Sequence, residues 1–328
     1  MNVRILQPGL LSSLQDAGRP GHAALGVGRA GAMDIPAWRL ANALVGNRGG
    51  EAAIECTLLG PSVVFEEAAT IALTGAPLRA QLDGRAVPLW TRCHVPAGSV
   101  LRLGGMTVGC RSYLAVRGGF DVAPILGSRS SDLHARLGYQ QGRPLRAGDE
   151  LPIGVADPLP GRHAIKTPYI APWSLDPQPW FDFTEAPLAL LRGSHWSRLD
   201  RDSQRGLFAG KFVLSKDSNR TAGRLDGQPL HLETALELVS EATLPGTLQL
   251  PPSGQPIALL AEAPVTGGYP RIGQVAATDL PRLAQRRPGD TVCFRESTLE
   301  QASARLAARQ RRLNLLLERI AQRLQNGE

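Results

Sequence analysis

Residues 62–85, SVVFEEAATIALTGAPLRAQLDGR, contain the pattern that decides the fold class. Within this stretch, Asp83-Gly84 is a dipeptide typical of the tight turn that joins two strands of a hairpin. Short β-rich runs bounded by turn-forming residues occur in the stretch and again after it: Ser62–Phe65, Thr70–Leu73, Val100–Leu103 and Tyr113–Val116. Such runs predict a mainly β structure made of short strands.

The second half of the chain, from about Pro187 to Phe294, is also rich in short β runs, and Asp226-Gly227 marks a turn within it. We expect no helical stretch to alternate with the strands in either half. Parallel α/β folds need that alternation, so the pattern favours barrels or sandwiches. Residues 155–185 are dense in proline and are interpreted as a linker. The predicted boundaries are 1–155 for a first β-barrel, 156–185 for the linker, 186–296 for a second β-barrel and 297–328 for a C-terminal helix.

A short helix is predicted in the N-terminal half. Asp34 is a suitable N-cap residue, and Pro36 is tolerated in the first turn of a helix. Apolar residues follow at helical spacing, and Gly46-Asn47 is a stop signal. The start of this helix is a candidate binding position, because exposed N–H groups and the helix dipole favour anions there.

A long amphipathic helix is predicted over Thr298–Leu324. Its apolar residues recur at seven-residue intervals: Leu299, Leu306, Leu313 and Ile320, with Leu317 and Leu324 at the intermediate step. A helix of this kind can pack on a partner protein or on the second domain. It can equally be a terminal helix that lies on its own domain, and the sequence leaves both interpretations open.

The chain has 328 residues and a formal net charge of +7, carried almost entirely by arginine. Residues 297–328 supply part of this excess, and elsewhere basic and acidic residues are interleaved without a basic stripe, so we expect no nucleic-acid partner. No apolar run approaches the roughly 20 residues that cross a bilayer, and the first nine residues do not resemble a signal peptide. The four cysteines form no CxxC pair. We therefore expect a cytoplasmic protein with reduced thiols and no membrane association.

Gly26–Gly31 (GVGRAG) matches the GxGxxG pattern of dinucleotide-binding loops. No strong hydrophobic strand precedes it, no βαβ unit surrounds it, and Asp34 would place negative charge where a pyrophosphate binds. The pattern therefore does not indicate a Rossmann site. The sequence also lacks GxxxxGKS/T, HExxH, CxxC and GxSxG motifs, and its six histidines are scattered. These observations argue against a self-contained metal or serine hydrolase, and we expect no metal ligands.

Polar clusters in glycine-rich turns remain as candidate site residues. Arginine suits carboxylate or phosphate capture, and glycine lets the backbone approach a ligand. Taken singly, each cluster is more typical of a turn with a solvated charge. The clusters occur in a fixed order with other short motifs: Pro8-Gly9-Leu10, Gln15–Arg19 (QDAGR), Gly31–Asp34 (GAMD), Arg39–Asn42 (RLAN), Val45–Asn47 (VGN), Glu55 with Leu59–Pro61 (LGP), Leu73–Ala76 (LTGA), Tyr113–Val116 (YLAV), Gly118-Gly119, Leu126–Ser130 (LGSRS), Gly267–Pro270 (GGYP) and Asp279-Leu280.

In this order the motifs resemble the biotin-dependent carboxyltransferase-domain family, also called KipA-like or allophanate hydrolase subunit 2, over nearly the whole chain. The resemblance implies two cyclophilin-like β-barrel subdomains. It implies the C subunit of an ATP-dependent 5-oxoprolinase, which converts 5-oxoproline to L-glutamate with ATP hydrolysis and is inactive or weak alone. The implied partners are a KipI-like B subunit and a LamB/YcsF-like A subunit. The implied co-substrate is ATP with Mg, and the absence of a Met-Lys-Met motif indicates that this chain carries no covalently attached biotin.

Two alternatives remain within the same resemblance. One is a carboxyltransferase subunit for a urea- or allophanate-like substrate that uses a separate biotin carrier. The other is a KipA-type regulatory protein that binds a kinase-inhibitor partner. The second half departs from the family pattern near Thr221 and Val265, and Gly193-Ser194-His195 replaces a usual Gly-Pro-Gln, so the exact substrate stays open.

The motifs and the resemblance together nominate a set of site residues. Arg19 and Arg220 are expected to act as anion clamps, and Asp34 has two candidate roles, as a helix N-cap and as a polar group of the site. The candidate catalytic residues are Asp16, Asp34 and Arg220. The candidate substrate- or ATP-binding residues are Arg19, Asn42, Asn47, Arg129, Arg224 and Tyr269.

Overall fold

The computed structural model describes residues 2–157, 167–181, 184–236 and 238–327, and the chain divides into two compact units. Unit 1 comprises Met1–Gly18, Asp34–Asp182 and Arg312–Glu328, and unit 2 comprises Arg19–Met33 and Phe183–Arg311. The subdomain boundaries predicted from the sequence remain a prediction, and this division differs from them by grouping residues 19–33 with the second half. Within the predicted linker, residues 158–166 and 182–183 lie outside the described residues.

Unit 1 contains two six-stranded sheets whose neighbouring strands are all antiparallel in the described part of the unit. The first sheet has the order β11-β1-β4-β9-β6-β7 and the second has the order β12-β8-β5-β10-β3-β2. The strands are β1 (Asn2–Gln7), β2 (Leu11–Gln15), β3 (Ala53–Thr57), β4 (Ser62–Phe65), β5 (Ala69–Gly75), β6 (Leu78–Leu82), β7 (Arg85–Ala86), β8 (Arg92–Val95), β9 (Val100–Met106), β10 (Arg111–Val116), β11 (Glu150–Pro152) and β12 (Tyr169–Ile170).

The hairpin predicted at Asp83-Gly84 is confirmed, since β6 and β7 pair across it. Both turn residues have positive φ angles, +47° for Asp83 and +81° for Gly84. Two consecutive residues of this kind match the type I′ turn, whose twist suits a two-residue hairpin loop.

Helix α1 (Ile35–Leu44) is also confirmed, and it packs on β5 and β10 of the second sheet. The side chain of Asp34 accepts a hydrogen bond from the backbone N–H of Ala37 at 3.1 Å, which is the N-cap interaction. The Thr74 hydroxyl of β5 donates to the carbonyl of Ala37 at 2.7 Å. The first turn of α1 is therefore fixed both by its own cap and by the sheet beneath it.

The proline-dense segment contributes to unit 1. Tyr169–Ile170 forms β12, which pairs with His94 and Cys93 of β8. Trp180 and Phe181 further along are buried, at 4% exposure each. The described part of this segment thus contains one short strand and three buried side chains, those of Ala171, Trp180 and Phe181.

Unit 2 is built on an eight-stranded sheet of order β21-β14-β15-β18-β17-β20-β13-β22, with a separate two-stranded ribbon of β16 and β19. Its pairs are antiparallel except for β13 with β22, which run parallel. The strands are β13 (Leu188–Arg192), β14 (Phe212–Leu214), β15 (Ala222–Asp226), β16 (Glu241–Ala242), β17 (Thr247–Gln249), β18 (Ile257–Leu259), β19 (Thr266–Gly267), β20 (Arg271–Val275), β21 (Thr291–Val292) and β22 (Phe294–Glu296).

The core of unit 2 combines side chains from this sheet with Met33 from the early segment 19–33. Phe212 and Phe294 belong to this core, with their ring centroids 6.1 Å apart. Met33 is 7% exposed and belongs to the same cluster as Leu190 and Leu248. The segment 19–33 therefore supplies part of the hydrophobic core of unit 2.

The second half contains two helices that were not predicted, α2 (Arg201–Ala209) and α3 (Leu280–Ala284), although they do not alternate with the strands one for one. Helix α2 begins at Asp200, whose side chain accepts from the N–H of Ser203 at 2.7 Å. Only Ser203 and Leu207 of α2 are buried. So narrow an apolar face gives little periodic signal in the sequence, although Asp200 is a recognisable N-cap.

The long C-terminal helix is confirmed as α4 (Leu299–Gln325). Thr298 and Gln301 form a capping box, since each side chain accepts the backbone N–H of the other residue. Within unit 2, Arg305 pairs with Asp279 at 3.2 Å. Within unit 1, the helix buries three apolar side chains and places two arginines over tryptophan rings: Leu313, Ile320 and Leu324, with Arg312 over Trp180 and Arg323 over Trp173. Each part of α4 thus packs within this chain.

The fold class predicted from the sequence is confirmed: the protein is mainly β, with a nearly closed barrel-like sheet and a long C-terminal helix. Across the described ranges, no helix combines the length and the apolar character that a membrane span requires.

Candidate functional site

Asp16 lies directly after β2, and its carboxylate is surrounded by hydrogen-bond donors. Its Oδ1 accepts from the N–H of Gly18 at 2.8 Å and from the hydroxyls of Ser128 and Ser130 at 2.6 Å each. Its Oδ2 accepts from the N–H of Arg129 at 2.6 Å. Asp16 is 5% exposed, so these four donors use much of the capacity of the carboxylate. Asp16 holds the loop 128–130 against the end of β2, and direct contact with a substrate would require one of these bonds to open.

The Arg129 side chain is more accessible than Asp16. Its guanidinium pairs with Asp121 at 3.1 Å, and the two side chains are 34% and 61% exposed. A pair this open is weak, so an incoming carboxylate or phosphate can compete for Arg129. Arg19, by contrast, is 1% exposed and belongs to unit 2, where its N–H donates to the carbonyl of Arg29.

Asp34 lies at one end of a buried hydrogen-bond chain in unit 1. Its N–H donates to the Tyr113 hydroxyl at 2.7 Å, and that hydroxyl donates to Oε2 of Glu55 at 2.7 Å. Arg111 lies 3.9 Å from the other oxygen of Glu55. Asp34, Glu55 and Tyr113 are each at most 2% exposed. This series of hydrogen bonds connects strands β3 and β10 to the start of α1.

Burial, followed by the charges of Glu55 and Asp34, raises the pKa of Tyr113 well above its usual value. The phenol therefore remains a neutral hydrogen-bond donor at any physiological pH. A neutral donor is what the Glu55 carboxylate needs, because a buried acceptor without a partner costs free energy.

Asn42 and Asn47 lie next to each other at the end of α1. The Asn47 amide donates to Oδ1 of Asn42 at 2.7 Å and to the carbonyl of Val116 at 2.8 Å, and its Oδ1 accepts from the N–H of Gly118 at 2.8 Å. The Asn42 amide donates to the carbonyl of Glu51 at 3.1 Å. Both side chains therefore fix the turn after α1 to the end of β10, which explains them without a ligand.

Arg220 forms a buried ion pair in unit 2. Its Nε lies 2.5 Å from Oε1 of Glu262, and the two side chains are 3% and 2% exposed. Its Nη2 donates to the carbonyl of Gly31 at 2.7 Å. The guanidinium is thus committed to holding the segment 19–33 in unit 2, and a role as an anion clamp would require the pair with Glu262 to open.

Arg224 and Tyr269 are exposed residues of unit 2, and Tyr269 is 46% exposed. The altered segment before Arg224 is ordered by Asn219, whose side-chain oxygen accepts from the N–H groups of Thr221 and Ala222. Arg224 itself follows on β15, with its N–H bonded to the Ser218 hydroxyl. The change of sequence near Thr221 therefore keeps a formed turn and an accessible arginine.

Direct contacts join two of the predicted sets: Asp16 with Arg129, and Asn42 with Asn47. Arg220 belongs to a different compact unit from Asp16 and Asp34. Glu55, Tyr113 and Glu262 are not among the site residues predicted from the sequence. Glu55 carried a usable signal, because a carboxylate inside a buried strand needs a partner. Glu262 carried no comparable signal.

Among the described residues, no group of three or more His, Cys, Asp or Glu side chains is arranged to hold a metal ion.

The chain belongs to the carboxyltransferase-domain family: the family described as "Carboxyltransferase domain, subdomain A and B" matches residues 25–296.

Particular relatives narrow this assignment. The chain is 40% identical over 326 residues to the C subunit of 5-oxoprolinase from Escherichia coli (strain K12), with 99% of each chain covered. It is 36% identical over 301 residues to the C subunit of 5-oxoprolinase from Haemophilus influenzae, covering 92% of this chain and 93% of that protein. The crystal structure of the Kluyveromyces lactis urea amidolyase is similar with a TM-score of 0.85 and 27% identity, over 95% of this chain but 20% of the solved chain.

Proposed function

We propose that this protein is the C subunit of an ATP-dependent 5-oxoprolinase, which converts 5-oxoproline to L-glutamate. The observation that carries the proposal is the 40% identity to a protein of that name over 99% of both chains. The similarity to urea amidolyase covers only a fifth of that solved chain, whereas the similarity to the oxoprolinase subunit covers the whole length of both proteins. The difference in coverage favours the oxoprolinase. The partners we propose are a KipI-like B subunit and a LamB/YcsF-like A subunit, in the cytoplasm.

The proposed chemistry opens the lactam in three steps. The γ-phosphoryl group of ATP, which arrives with Mg²⁺ on its phosphates, is transferred to the lactam carbonyl oxygen, and ADP leaves. A first water then attacks the activated carbon, the C–N bond breaks and the nitrogen takes up a proton, which leaves an acyl phosphate. A second water hydrolyses the acyl phosphate to the carboxylate of glutamate and inorganic phosphate. Negative charge develops on phosphoryl and carbonyl oxygens, and pre-positioned guanidinium groups and backbone N–H donors stabilise such charge.

The arginines of this chain differ in how readily they could serve this role. Arg129 and Arg224 are accessible, and among the described residues the Arg129 guanidinium pairs only with Asp121, in an open ion pair. The Arg220 guanidinium, in contrast, is buried in an ion pair with Glu262. We therefore propose Arg129 and Arg224 as the anion-binding arginines, with Asp16 placing the backbone of Arg129 through its 2.6 Å hydrogen bond. Asp16 and Arg220 are then positioning residues, while Tyr269 is exposed and free to contact the substrate.

The test is co-expression with the B and A subunits followed by an assay of ATP-dependent glutamate release from 5-oxoproline. We expect release that needs all three subunits and little release by this chain alone. Glutamate release no greater than that of B and A without this chain would overturn the proposal. Carboxylation of urea in the presence of a biotin carboxylase and a biotin carrier, in the same preparation, would support the carboxyltransferase alternative that the urea amidolyase structure favours.

Asp34→Asn separates the two roles of Asp34. Asparagine caps helices about as well as aspartate, so α1 and the thermal unfolding midpoint should be nearly unchanged. If Asp34 is a polar group of the site, turnover in the three-subunit complex should fall by about tenfold or more. Unchanged turnover in a folded D34N complex would leave the N-cap as its role.

A further inference from the structure

A cavity of about 550 Å³ lies within unit 1, at the end of α1 and beside the last turns of α4. Its lining includes three arginines, Arg39, Arg48 and Arg117, with Asp157 as an acidic group. It also includes the apolar residues Ala43, Leu317, Ala321 and Leu324. A lining of this composition suits a ligand that has both a charged group and an apolar part.

Arg39 is the most informative of these side chains. It is half-buried on α1, one turn before Ala43. In the part of the chain that the structure describes, its guanidinium has no hydrogen bond or ion pair. A cation that is partly removed from water is costly unless a counter-charge or polar partner compensates it, so this position favours an anion from outside the chain.

The other two arginines are engaged to different degrees. Arg117 donates to the carbonyl of Val45 at 2.8 Å and so covers the C-terminal carbonyls of α1, whose partial negative charge would otherwise oppose an anion. Arg48 faces Asp157 at 3.5 Å, with the two side chains 90% and 89% exposed. Because an ion pair this open contributes little, Arg48 is available to a ligand.

The turn beside the cavity already holds an anionic group. The N–H groups of Arg48, Gly49 and Gly50 all donate to the Glu51 carboxylate, at 2.9, 2.7 and 2.9 Å. Gly49 has φ of +106°, a conformation that favours glycine. Successive N–H groups that converge in this way form an anion-binding concavity, here satisfied by the chain's own carboxylate. The Glu51 carboxylate is thereby held by the turn, and it is not among the residues that line the cavity.

We propose that this cavity binds a small organic anion, with its carboxylate or phosphate against Arg39 and Arg48 and its apolar body against Ala43, Leu317 and Ala321. The proposal does not rest on the 5-oxoprolinase assignment, because none of the arginines proposed for that reaction lines the cavity. The ligand class follows from the lining of the cavity, which combines the guanidinium groups of Arg39 and Arg48 with aliphatic side chains.

The test is isothermal titration calorimetry of the full-length chain with three probes: hexyl phosphate, hexanol and inorganic phosphate. We expect hexyl phosphate to bind one molecule per chain, and each of the other two probes, which lacks one end of the ligand, to bind at least about tenfold more weakly. Arg39→Gln should weaken hexyl phosphate binding by about tenfold or more, and Arg39→Lys should retain part of the affinity.

Arg85→Gln is the matched control, because Arg85 is an exposed arginine of β7 in the same unit and does not line the cavity. Its affinity for hexyl phosphate should equal that of the unmodified chain. Ala43→Phe fills the apolar side and should abolish binding, with circular dichroism confirming that the variants are folded. The proposal is overturned if hexyl phosphate does not bind below about 10 mM, if hexanol binds equally well, or if R39Q and R85Q bind alike.

Discussion

The Asp16 carboxylate accepts a hydrogen bond from the Ser128 hydroxyl at 2.6 Å, although 112 residues separate the two along the chain. The same oxygen accepts from Ser130, so two hydroxyl groups of one loop share it. A carboxylate provides only acceptors, and each donor of this loop is oriented toward it. The loop that carries Arg129 is therefore held in place by a carboxylate that lies directly after β2 and is distant along the sequence.

Asp16→Asn should destabilise the protein by about 2 to 4 kcal/mol, because the amide replaces an acceptor with a donor that faces other donors. Urea unfolding followed by circular dichroism measures the change. Asp121→Asn is the control, since Asp121 also contacts Arg129 but is 61% exposed, and it should cost less than about 1 kcal/mol. Equal losses in the two variants would contradict the central position given to Asp16.

Tyr113→Phe should cost about 1 to 3 kcal/mol at pH 7, because it leaves the Glu55 carboxylate and the Asp34 N–H without the phenol between them. Urea unfolding measures this cost, and Tyr269→Phe, at a position 46% exposed, should be nearly neutral. A Y113F protein as stable as Y269F would show that the buried hydroxyl contributes nothing.

The same tyrosine predicts a pH dependence. The pKa of Tyr113 is raised in the folded protein, so above about pH 10 the unfolded chain loses this proton while the folded chain keeps it. The contribution of the raised pKa to the free energy of unfolding is fully present below pH 10. Above pH 10 it declines by about 1.4 kcal/mol per pH unit until the raised pKa is reached. Between pH 9 and 11 the unmodified protein should lose more stability than Y113F, and parallel losses would contradict the raised pKa.

Removing either member of the Arg220–Glu262 pair should cost about 3 to 5 kcal/mol, since each leaves the other charge buried and unpaired. Arg220→Met and Glu262→Leu are the two single changes. The double variant should be less destabilised than the sum of both, because no isolated charge remains. Thermal and urea unfolding of all four proteins measure the coupling, and strictly additive losses would mean that the pair is not coupled.

Leu313 and Leu306 occupy equivalent positions of the seven-residue repeat in α4 but differ in burial, at 3% and 44% exposure. Leu313→Ala should cost about 2 to 4 kcal/mol, and Leu306→Ala less than about 1 kcal/mol. Both changes have the same effect on helix propensity, so the difference in urea unfolding reports packing alone. Similar costs would indicate that the C-terminal part of α4 is not held as described.

The strands and turns of this chain were predictable because their signals are local. Asp83-Gly84 specifies its hairpin, and Asp34 specifies the start of α1 through a bond to a residue three positions away. Helix α2 escaped prediction because its buried face consists of Ser203 and Leu207. The proline-dense segment predicted a linker, yet Trp173 and Trp180 lie under arginines of α4, a contact that local composition does not encode.

The candidate site was predictable in its residue types and less so in their roles. Asp16 and Arg129 were nominated from separate motifs, and the structure brings them into contact. Arg220 was predicted as a site residue for its charge, but whether an arginine can bind a ligand depends on whether an acidic side chain already pairs with it. Its partner, Glu262, is 42 residues away along the chain, and no local pattern connects the two.

The hydrogen bond from Arg220 to the carbonyl of Gly31 joins residues 189 positions apart, and Met33 enters a core made of residues that follow Leu188. During synthesis the segment 19–33 emerges long before these contacts exist, while the strands of unit 1 on both sides of it are being completed. The segment 19–33 can pack in unit 2 only after the ribosome has synthesised the second half of the chain. The core of unit 2 is therefore completed late in synthesis, because its long-range contacts form only after the second half has emerged.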